Sequence, residues 1–225
     1  MTTTPRQQFL HALSCLIAGI PCDHPLRLGI DGVDASGKTI LADELVAPLT
    51  ATGRRVLRAS IDGFHRPRAE RYKLGRQSPE GYFRDSFQLD RIVRDLLAPL
   101  GPAGSRRIKR AVFDYRSDSP VYLPEEDVPA DAILLFDGVF LHRRELVSFW
   151  DATIYLDVPF EITVRRAAER DGWPPDVEAV ENRRYVEGQR LYLRECNPPA
   201  AASIVVDNSD LARPVITARR APFNL

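Results

Sequence analysis

The sequence has few cysteines, no excess of charge and no long apolar run. Cys15, Cys22 and Cys196 are an odd number without metal-ligand spacing, which favours reduced thiols over a disulfide framework. Basic and acidic residues balance at 31 each, so composition does not point to a nucleic acid or a membrane as the main partner. The most apolar early run, residues 9–20, contains His11 and is too short to span a bilayer. We therefore predict a cytoplasmic protein that binds neither nucleic acid nor membrane.

Residues 32–39 carry the motif that organises the rest of the chain. The octapeptide GVDASGKT satisfies G-x-x-x-x-G-K-[ST], the phosphate-binding loop pattern, with a strand-like run before it and helical spacing after it. Gly32 and Gly37 allow backbone angles that a Cβ would block, so successive N–H groups can turn towards phosphate oxygens. The predicted nucleotide-binding residues are Gly32, Val33, Asp34, Ala35, Ser36, Gly37, Lys38, Thr39 and Ile40.

Two side chains of the loop and one distant carboxylate indicate phosphate and metal chemistry. Lys38 places a positive charge near the β- and γ-phosphates, and the Thr39 hydroxyl is a ligand for Mg²⁺. The strongest strand candidate, residues 132–136, ends in Asp137, which is the Walker B arrangement. We therefore predict ATP and Mg²⁺ as cofactors, with Thr39 and Asp137 at the metal.

Asp62 follows a second predicted strand, residues 55–61. In parallel α/β sheets ligands bind at the carboxyl ends of strands, which brings Asp62 to the edge that carries the phosphate loop. A carboxylate there can take a proton from a substrate hydroxyl or hold the water shell of a metal. A turn aspartate is the alternative, because Asp-Gly is a common turn pair. We predict that Asp62 is a catalytic base.

The segment from residue 66 to residue 84 is basic and contains aromatic residues, and its proline and glycine content argues against a long regular element. Such a loop beside a phosphate site can hold a polar ring and a phosphate, although a solvated surface loop is the alternative. A short strand candidate, residues 111–115, places two more polar side chains nearby. The predicted substrate-binding residues are Asp62, His65, Arg66, Tyr82, Asp114 and Tyr115.

Arginine is concentrated between residues 160 and 195, a helical segment interrupted near residues 171–175. It follows the strand candidate 152–157, the position at which a lid over the transferred phosphate is expected, and guanidinium groups there would neutralise charge on the phosphoryl oxygens. A solvated helical pair is the alternative. We predict that Lys38 and the lid residues Arg165, Arg166 and Arg170 take part in catalysis.

The remaining pattern predicts a three-layer α/β fold, with a mainly parallel central sheet between helices and an arginine-rich lid. Residues 1–24 contain a packing helix that starts at a capping box at Thr4, and helices are also predicted over 85–97 and 141–150. A last central strand is expected near 202–208 and an edge strand near 214–217. We expect residues 1–225 to form one domain, and a homo-oligomer is compatible with the sequence.

Several motifs together carry a family resemblance. The stretches GIDGVDASGKT, SIDGFHR, SPEGYFRDSFQLDRI, LLFDGVFL, VRRAAER and SIVVDN resemble the uridine kinase branch of the phosphoribulokinase/uridine kinase group of P-loop kinases, in the expected order. The resemblance implies the P-loop NTPase fold and an ATP- and Mg²⁺-dependent kinase for a small-molecule primary alcohol, foremost a nucleoside 5′-hydroxyl. It also implies the catalytic-base role for Asp62, the Walker B role for Asp137 and the lid role for the three arginines.

Two alternatives remain open at the level of the sequence. Asp137 stands where uridine kinases usually carry glutamate, and the Asp62-Gly63-Phe64 turn is similar to the pantothenate kinase branch of the group. The acceptor can therefore also be pantothenate, a sugar or another vitamin-like alcohol. A different class is a nucleotide-binding regulatory or adaptor protein that phosphorylates no acceptor.

Overall fold

A six-stranded sheet forms the centre of the computed structural model, which describes residues 3–223. Its strand order is β10-β9-β8-β1-β7-β2, and every pairing is parallel except that of β10 with β9. The sheet strands are β1 (Leu26–Gly32), β2 (Val56–Ser60), β7 (Ile133–Gly138), β8 (Ala152–Asp157), β9 (Ile204–Asp207) and β10 (Val215–Arg219). The predicted mainly parallel sheet is confirmed.

Short strands and helices complete the architecture. Two two-stranded sheets lie outside the main sheet, and they pair β3 (Arg107–Ile108) with β6 (Glu126–Asp127) and β4 (Phe113–Asp114) with β5 (Ser119–Pro120). The helices are α1 (Pro5–Ala18), α2 (Lys38–Thr50), α3 (Arg68–Arg71), α4 (Pro79–Asp85), α5 (Leu89–Ile92), α6 (Phe160–Asp171), α7 (Val180–Cys196) and α8 (Pro198–Ala201).

Strand β7 shows why the fold has three layers. It is buried along its whole length, and its alternate residues join two separate hydrophobic cores. Ile133 and Leu135 pack with apolar residues of α1 and α2, whereas Leu134 and Phe136 pack with the core beside α4 and α5. A strand buried on both faces has no polar alternation, which is why the continuous apolar run predicted this position correctly.

The first helix begins as the sequence predicts. The Thr4 hydroxyl accepts a hydrogen bond from the Gln7 N–H, the Gln7 side chain accepts one from the Thr4 N–H, and Pro5 occupies the first turn. Within residues 3–223, no helix combines the length and the apolar character needed to cross a membrane.

Three predicted elements differ from the structure. Only a single 3₁₀ turn, Val147–Phe149, forms in the segment where a helix over 141–150 was predicted. The helix predicted over 85–97 begins at Leu89 and changes to π-helical geometry over Val93–Leu97. Strand β4 is confirmed as a strand but pairs with β5 in a hairpin outside the main sheet, with Pro120 opposite Phe113.

Candidate active site

The phosphate-binding loop joins β1 to α2 in the conformation that the motif requires. Gly37 has φ 98°, in the left-handed region, and a Cβ at this residue would lie 2.6 Å from Asn208 Nδ2. A Cβ at Gly32 would lie 2.6 Å from Ser36 Oγ. Ala35 also has a positive φ, of 56°, so the loop turns sharply before α2. Together with the N-terminus of α2, the backbone N–H groups of this loop can bind an anion, and binding of the ATP phosphates there stays a prediction.

Lys38 is a buried cation enclosed by acidic groups. Its ammonium donates a hydrogen bond of 2.7 Å to the Val33 carbonyl across the loop. Burial lowers the Lys38 pKa, and the carboxylates of Asp34, Asp31, Asp137 and Asp62 oppose this shift. Asp62 is therefore one of the acidic groups that share the electrostatic environment of the loop.

Thr39 and Asp137 meet at the start of α2. The Thr39 hydroxyl donates a hydrogen bond of 2.7 Å to Asp137 Oδ2, so the two residues predicted at the metal lie together. The other carboxylate oxygen, Asp137 Oδ1, is buried, lies 2.9 Å from an Arg58 guanidinium nitrogen and has no aligned hydrogen bond within the described residues. A buried, incompletely satisfied carboxylate oxygen beside a threonine hydroxyl is an oxygen donor set that suits Mg²⁺.

Asp62 lies at the carboxyl end of β2, in the 3₁₀ turn Ile61–Phe64. Its side chain is 60% exposed and is therefore open to a substrate. Partial burial is the main cause that raises the Asp62 pKa, followed by the negative charge of Asp34, while Lys38 lowers it. Asp34 and Lys38 both act on its charge, so Asp62 shares the electrostatic environment of the phosphate loop, and its role as the base stays a prediction.

The His65 side chain lies next to Asp62 and packs against two aromatic rings. Its ring lies 4.6 Å from the Phe87 ring and 4.9 Å from the Tyr115 ring, measured between centroids, and its Nδ1 is 3.1 Å from the Asp62 carbonyl oxygen. Burial lowers the pKa of His65 to about 4, so the imidazole is neutral at neutral pH. His65 and Tyr115 form an aromatic pair beside the predicted base, with their ring planes tilted by 34°.

Arg66 and Asp114 are each engaged in local structure. The Arg66 guanidinium donates to the Phe87 carbonyl at 3.0 Å and lies 3.2 Å from a Glu70 carboxylate oxygen. The Asp114 carboxylate accepts hydrogen bonds from the Arg116 N–H and the Ser117 hydroxyl in the β4–β5 turn. Their contact with a substrate stays a prediction.

Tyr82 is buried and contacts the phosphate loop. Its hydroxyl donates a hydrogen bond of 2.8 Å to Asp34 Oδ2, and burial together with Asp34 raises the Tyr82 pKa well above the ordinary value. Gln189 of α7 binds the same aspartate twice, because its amide nitrogen lies 3.1 Å from Asp34 Oδ2 and its oxygen accepts the Asp34 N–H at 2.6 Å. Asp34 therefore links the loop to α4 and α7, a role that the sequence pattern does not reveal.

The three predicted lid arginines lie on α6 but have different surroundings. Arg166 donates to the backbone carbonyls of Asn208 and Ser209 at 3.0 and 2.7 Å, which fastens α6 to the loop after β9. Arg170 pairs with Asp171 at 2.7 Å, and this hydrogen bond is the main cause that raises its pKa, with a smaller contribution from Asp34. Arg165 is exposed. Participation of the three in catalysis stays a prediction.

A buried polar network under the phosphate loop was missed from the sequence. Asp31 accepts hydrogen bonds from the Gly32 N–H at 2.7 Å and from the Tyr192 hydroxyl, and its Oδ2 lies 2.6 Å from His142 Nδ1. His142 Nε2 lies 2.9 Å from Thr153 Oγ1, so that both ring nitrogens have partners. The network connects β1, β8, α7 and the segment after β7, and holds the entry to the loop in place.

Replacing Tyr192 with phenylalanine should destabilise the protein by about 1–3 kcal/mol. The buried Asp31 carboxylate would lose a hydrogen-bond donor, and the backbone N–H of His142 would lose its acceptor. Urea unfolding followed by circular dichroism measures the change. The matched control is Tyr122→Phe, because Tyr122 is 91% exposed. Equal unfolding midpoints for the two variants would show that the network contributes nothing to stability.

Comparison with known proteins places the chain among kinases. No family model matches it. It is 33% identical over 153 residues to uridine kinase of Leuconostoc citreum (strain KM20), a match that covers 65% of this chain and 69% of that protein. A possible uridine kinase from Bacillus stearothermophilus superimposes with a TM-score of 0.71 at 24% identity, over 88% of this chain and 97% of that chain. Phosphoribulokinase from Rhodobacter spheroides gives 0.53 at 18% identity, over 89% and 76%. The two structures support the fold, and its predicted class is confirmed.

Proposed function

The chain belongs to the uridine kinase family, and on this basis we propose that it transfers the γ-phosphoryl group of ATP to the 5′-hydroxyl of a nucleoside, with uridine as the first candidate. The predicted resemblance to this branch of P-loop kinases is confirmed, as is an enzyme that transfers phosphate to an alcohol group. The observation that carries the proposal is the position of the Asp62 carboxylate, which is open to substrate and acts electrostatically on the loop lysine, Lys38.

Each residue of the site has a separate role in the proposed reaction. Asp62 accepts the proton of the acceptor hydroxyl while that oxygen bonds to the γ-phosphorus and the bond to the bridging oxygen of the leaving ADP breaks. The loop N–H groups and Lys38 hold the phosphate oxygens, and Thr39 and Asp137 would hold Mg²⁺. Bound Mg²⁺ supplies charge neutralisation for the β- and γ-phosphates.

The acceptor pocket follows from the same geometry. The aromatic surface of His65 and Tyr115 lies beside Asp62, so a planar base can pack there while its sugar hydroxyl approaches the carboxylate. Arg116 stands over the Tyr115 ring at 5.8 Å and acts on the Asp62 charge, which adds a cation at the mouth of this pocket. We assign the acceptor side to this surface and the ATP phosphates to the loop.

An acceptor panel tests the proposal. ADP release is measured with uridine, cytidine, pantothenate and simple sugars, each with ATP and with GTP and with or without Mg²⁺. Release that depends on a nucleoside and on Mg²⁺ is expected. Stimulation by pantothenate or a sugar alone would replace the nucleoside assignment, and nucleotide binding without acceptor-stimulated release would indicate a regulatory protein.

The pH profile of turnover should have an acidic limb set by Asp62. Because the Asp62 pKa is raised from its ordinary value of 3.8, protonation as the pH falls removes the base sooner than for an exposed aspartate. Turnover at saturating substrates is therefore expected to fall on the acidic side and to be flat above it. His65→Gln tests the neighbouring imidazole, whose pKa burial lowers to about 4, and the limb should remain in this variant if Asp62 sets it. Loss of the acidic limb in His65→Gln would show that the limb arises from the imidazole.

The proposal also covers the domain organisation, the cellular location and the partners of the protein. We propose that residues 1–225 act as one kinase domain, in which α6 and α7 within residues 160–195 form the lid region. We also propose a cytoplasmic enzyme whose partners are small molecules rather than nucleic acid or membrane, and which can form a homo-oligomer. Size-exclusion chromatography with light scattering measures the subunit number directly.

A further inference from the structure

A second cluster of ligand-type side chains lies at the opposite end of the sheet from the phosphate loop. Cys22 and His24 are in the connection between α1 and β1, and Asp151 directly precedes β8. Because β1 pairs with β8, with Leu28 opposite Ala152, the fold brings Asp151 to the residues that precede β1. Within residues 3–223 these three are the only group of three or more such donors whose ligand atoms all lie within 4.8 Å of one another. We propose that this cluster binds a zinc ion.

The distances between donors are those of a zinc site. Cys22 Sγ lies 3.5 Å from His24 Nε2, and His24 Nε2 lies 3.7 Å from Asp151 Oδ1. Zinc bonds of about 2.3 Å to sulfur and about 2.0–2.1 Å to nitrogen or oxygen, arranged tetrahedrally, separate neighbouring donors by about 3.5 Å. The third pair of donor atoms, of Cys22 and Asp151, lies within 4.8 Å, so side-chain rotations would bring all three donors to one zinc ion.

The orientation of the histidine leaves the correct nitrogen available. His24 Nδ1 lies 3.2 Å from the Pro25 carbonyl oxygen, the partner to which a ligating histidine commonly donates its second ring N–H. Cys22 Sγ lies 3.4 Å from Nδ1 and 3.5 Å from Nε2, so a rotation of the Cys22 side chain is needed to bring the sulfur into line with Nε2. Arg27 donates to Asp151 Oδ1 at 2.7 Å and to Oδ2 at 3.0 Å, so it fixes the carboxylate and shares with zinc the oxygen that faces His24.

Charge and access agree with a divalent cation. The Asp23 side chain is 96% exposed and its Oδ1 lies 4.0 Å from His24 Nε2. Once metal binding has ionised the Cys22 thiol, the thiolate and the two carboxylates, set against Arg27, give the cluster two negative charges. A cavity of about 570 Å³ opens onto it, lined by Ile20, Pro21, Cys22, Asp23, His24, Asp151 and Pro222. Binding releases the thiol proton to solvent, and a water molecule completes the four ligands.

The site would fasten the connection after α1 to the beginning of β8. It lies away from the kinase residues, so it is independent of the proposed function and is not expected to supply a catalytic group. A mixed thiolate, imidazole and carboxylate set favours zinc over Mg²⁺, which prefers oxygen ligands. Excess Mg²⁺ can therefore occupy the oxygen site at Thr39 and Asp137 while zinc or cobalt is titrated.

The chain supplies its own matched control. Cys15 and His11 form another cysteine–histidine pair, with 3.9 Å between Cys15 Sγ and His11 Nε2, on the exposed side of α1. That pair has no third donor in the described part of the chain that would meet the same distance criterion. Cys15→Ser therefore removes a similar thiol beside a similar imidazole without touching the proposed site.

The test titrates Co²⁺ into chelator-treated full chain in excess Mg²⁺, follows the thiolate-to-cobalt absorption band, and then measures Zn²⁺ by competition. One metal per chain is expected, with affinity reduced about a hundredfold in Cys22→Ser and His24→Gln and unchanged in Cys15→Ser. Kinase activity of Cys22→Ser, expected to be normal, verifies that it folds. Absence of stoichiometric binding, or equal losses in Cys22→Ser and Cys15→Ser, would overturn the proposal.

A second measurement needs no variant. Alkylation of the three cysteines of the unchanged protein is followed by mass spectrometry with and without Zn²⁺. Bound zinc should slow modification of Cys22 at least tenfold and leave Cys15 and Cys196 unchanged. Equal rates at Cys22 with and without the metal would overturn the proposal even if a substituted protein failed to fold.

Discussion

Replacing Asp62 with asparagine is expected to reduce turnover by about two or more powers of ten and to leave ATP binding nearly intact. The carboxylate is the exposed acidic group at the carboxyl end of β2, and asparagine keeps its shape while removing the ability to accept a proton. Lys38, Thr39 and Asp137 remain in place, so the nucleotide site is unchanged. Steady-state ADP release and nucleotide titration by calorimetry measure the two effects separately.

The matched control for this substitution is Asp90→Asn, because Asp90 is an exposed aspartate in the first turn of α5. It should retain full turnover. Asp62→Asn should also show no acidic limb in its residual activity. Wild-type turnover in Asp62→Asn would remove this residue from the mechanism, whereas a parallel loss of ATP affinity would place its role in binding rather than in proton transfer.

The main sheet and its catalytic edge could be predicted because both follow from local pattern and strand direction. Residues 133–136 are apolar on both faces, so their burial was visible in the sequence. Strand β7 pairs in parallel with β1 and β2, and this brings Asp137 and Asp62 to the edge that begins at Gly32. General geometry of parallel sheets was therefore enough to place the predicted site residues at one end of the sheet.

The helix predicted over residues 141–150 does not form, because tertiary contacts override the local preference for helix. Phe140 has a positive φ of 66°, which turns the chain away from helix immediately after β7. The Trp150 indole then donates to the Leu141 carbonyl at 2.9 Å, and the Arg143 guanidinium donates to the Phe83 carbonyl. The Leu141 carbonyl is therefore bound by an indole instead of a backbone N–H one helical turn later, and hydrophobic spacing does not reveal this.

The Asp31–His142–Tyr192 network was invisible for another reason. Its members are separated by 111 and 161 residues, and no fixed spacing connects them. The zinc-type cluster has the same property, because Asp151 reaches Cys22 and His24 only through the pairing of β1 with β8. Motifs reveal chemistry carried by one stretch of chain, whereas these two groups exist only once the sheet has assembled.

Replacing Lys38 with methionine is expected to lower kcat/KM for ATP by about three powers of ten. The ammonium group lies inside the phosphate loop, bound to the Val33 carbonyl, and it is the buried cation among Asp31, Asp34, Asp62 and Asp137. Removing it takes away the positive charge that the phosphate loop itself provides to the transferred phosphoryl group. Methionine retains most of the side-chain volume, so no large cavity forms at the start of α2.

Stability measurements on the same variant distinguish lost chemistry from lost structure. Removing one partner of a buried charge cluster leaves the carboxylates around it uncompensated, so Lys38→Met is also expected to lower the unfolding midpoint, and kcat/KM is compared at a temperature at which both proteins are folded. Lys73→Met, on the exposed segment after α3, controls for the loss of a lysine and should keep full activity. If Lys38→Met kept normal kcat/KM for ATP, the anion cradle would not need its cation, and the division of roles between the loop and Asp62 would be wrong.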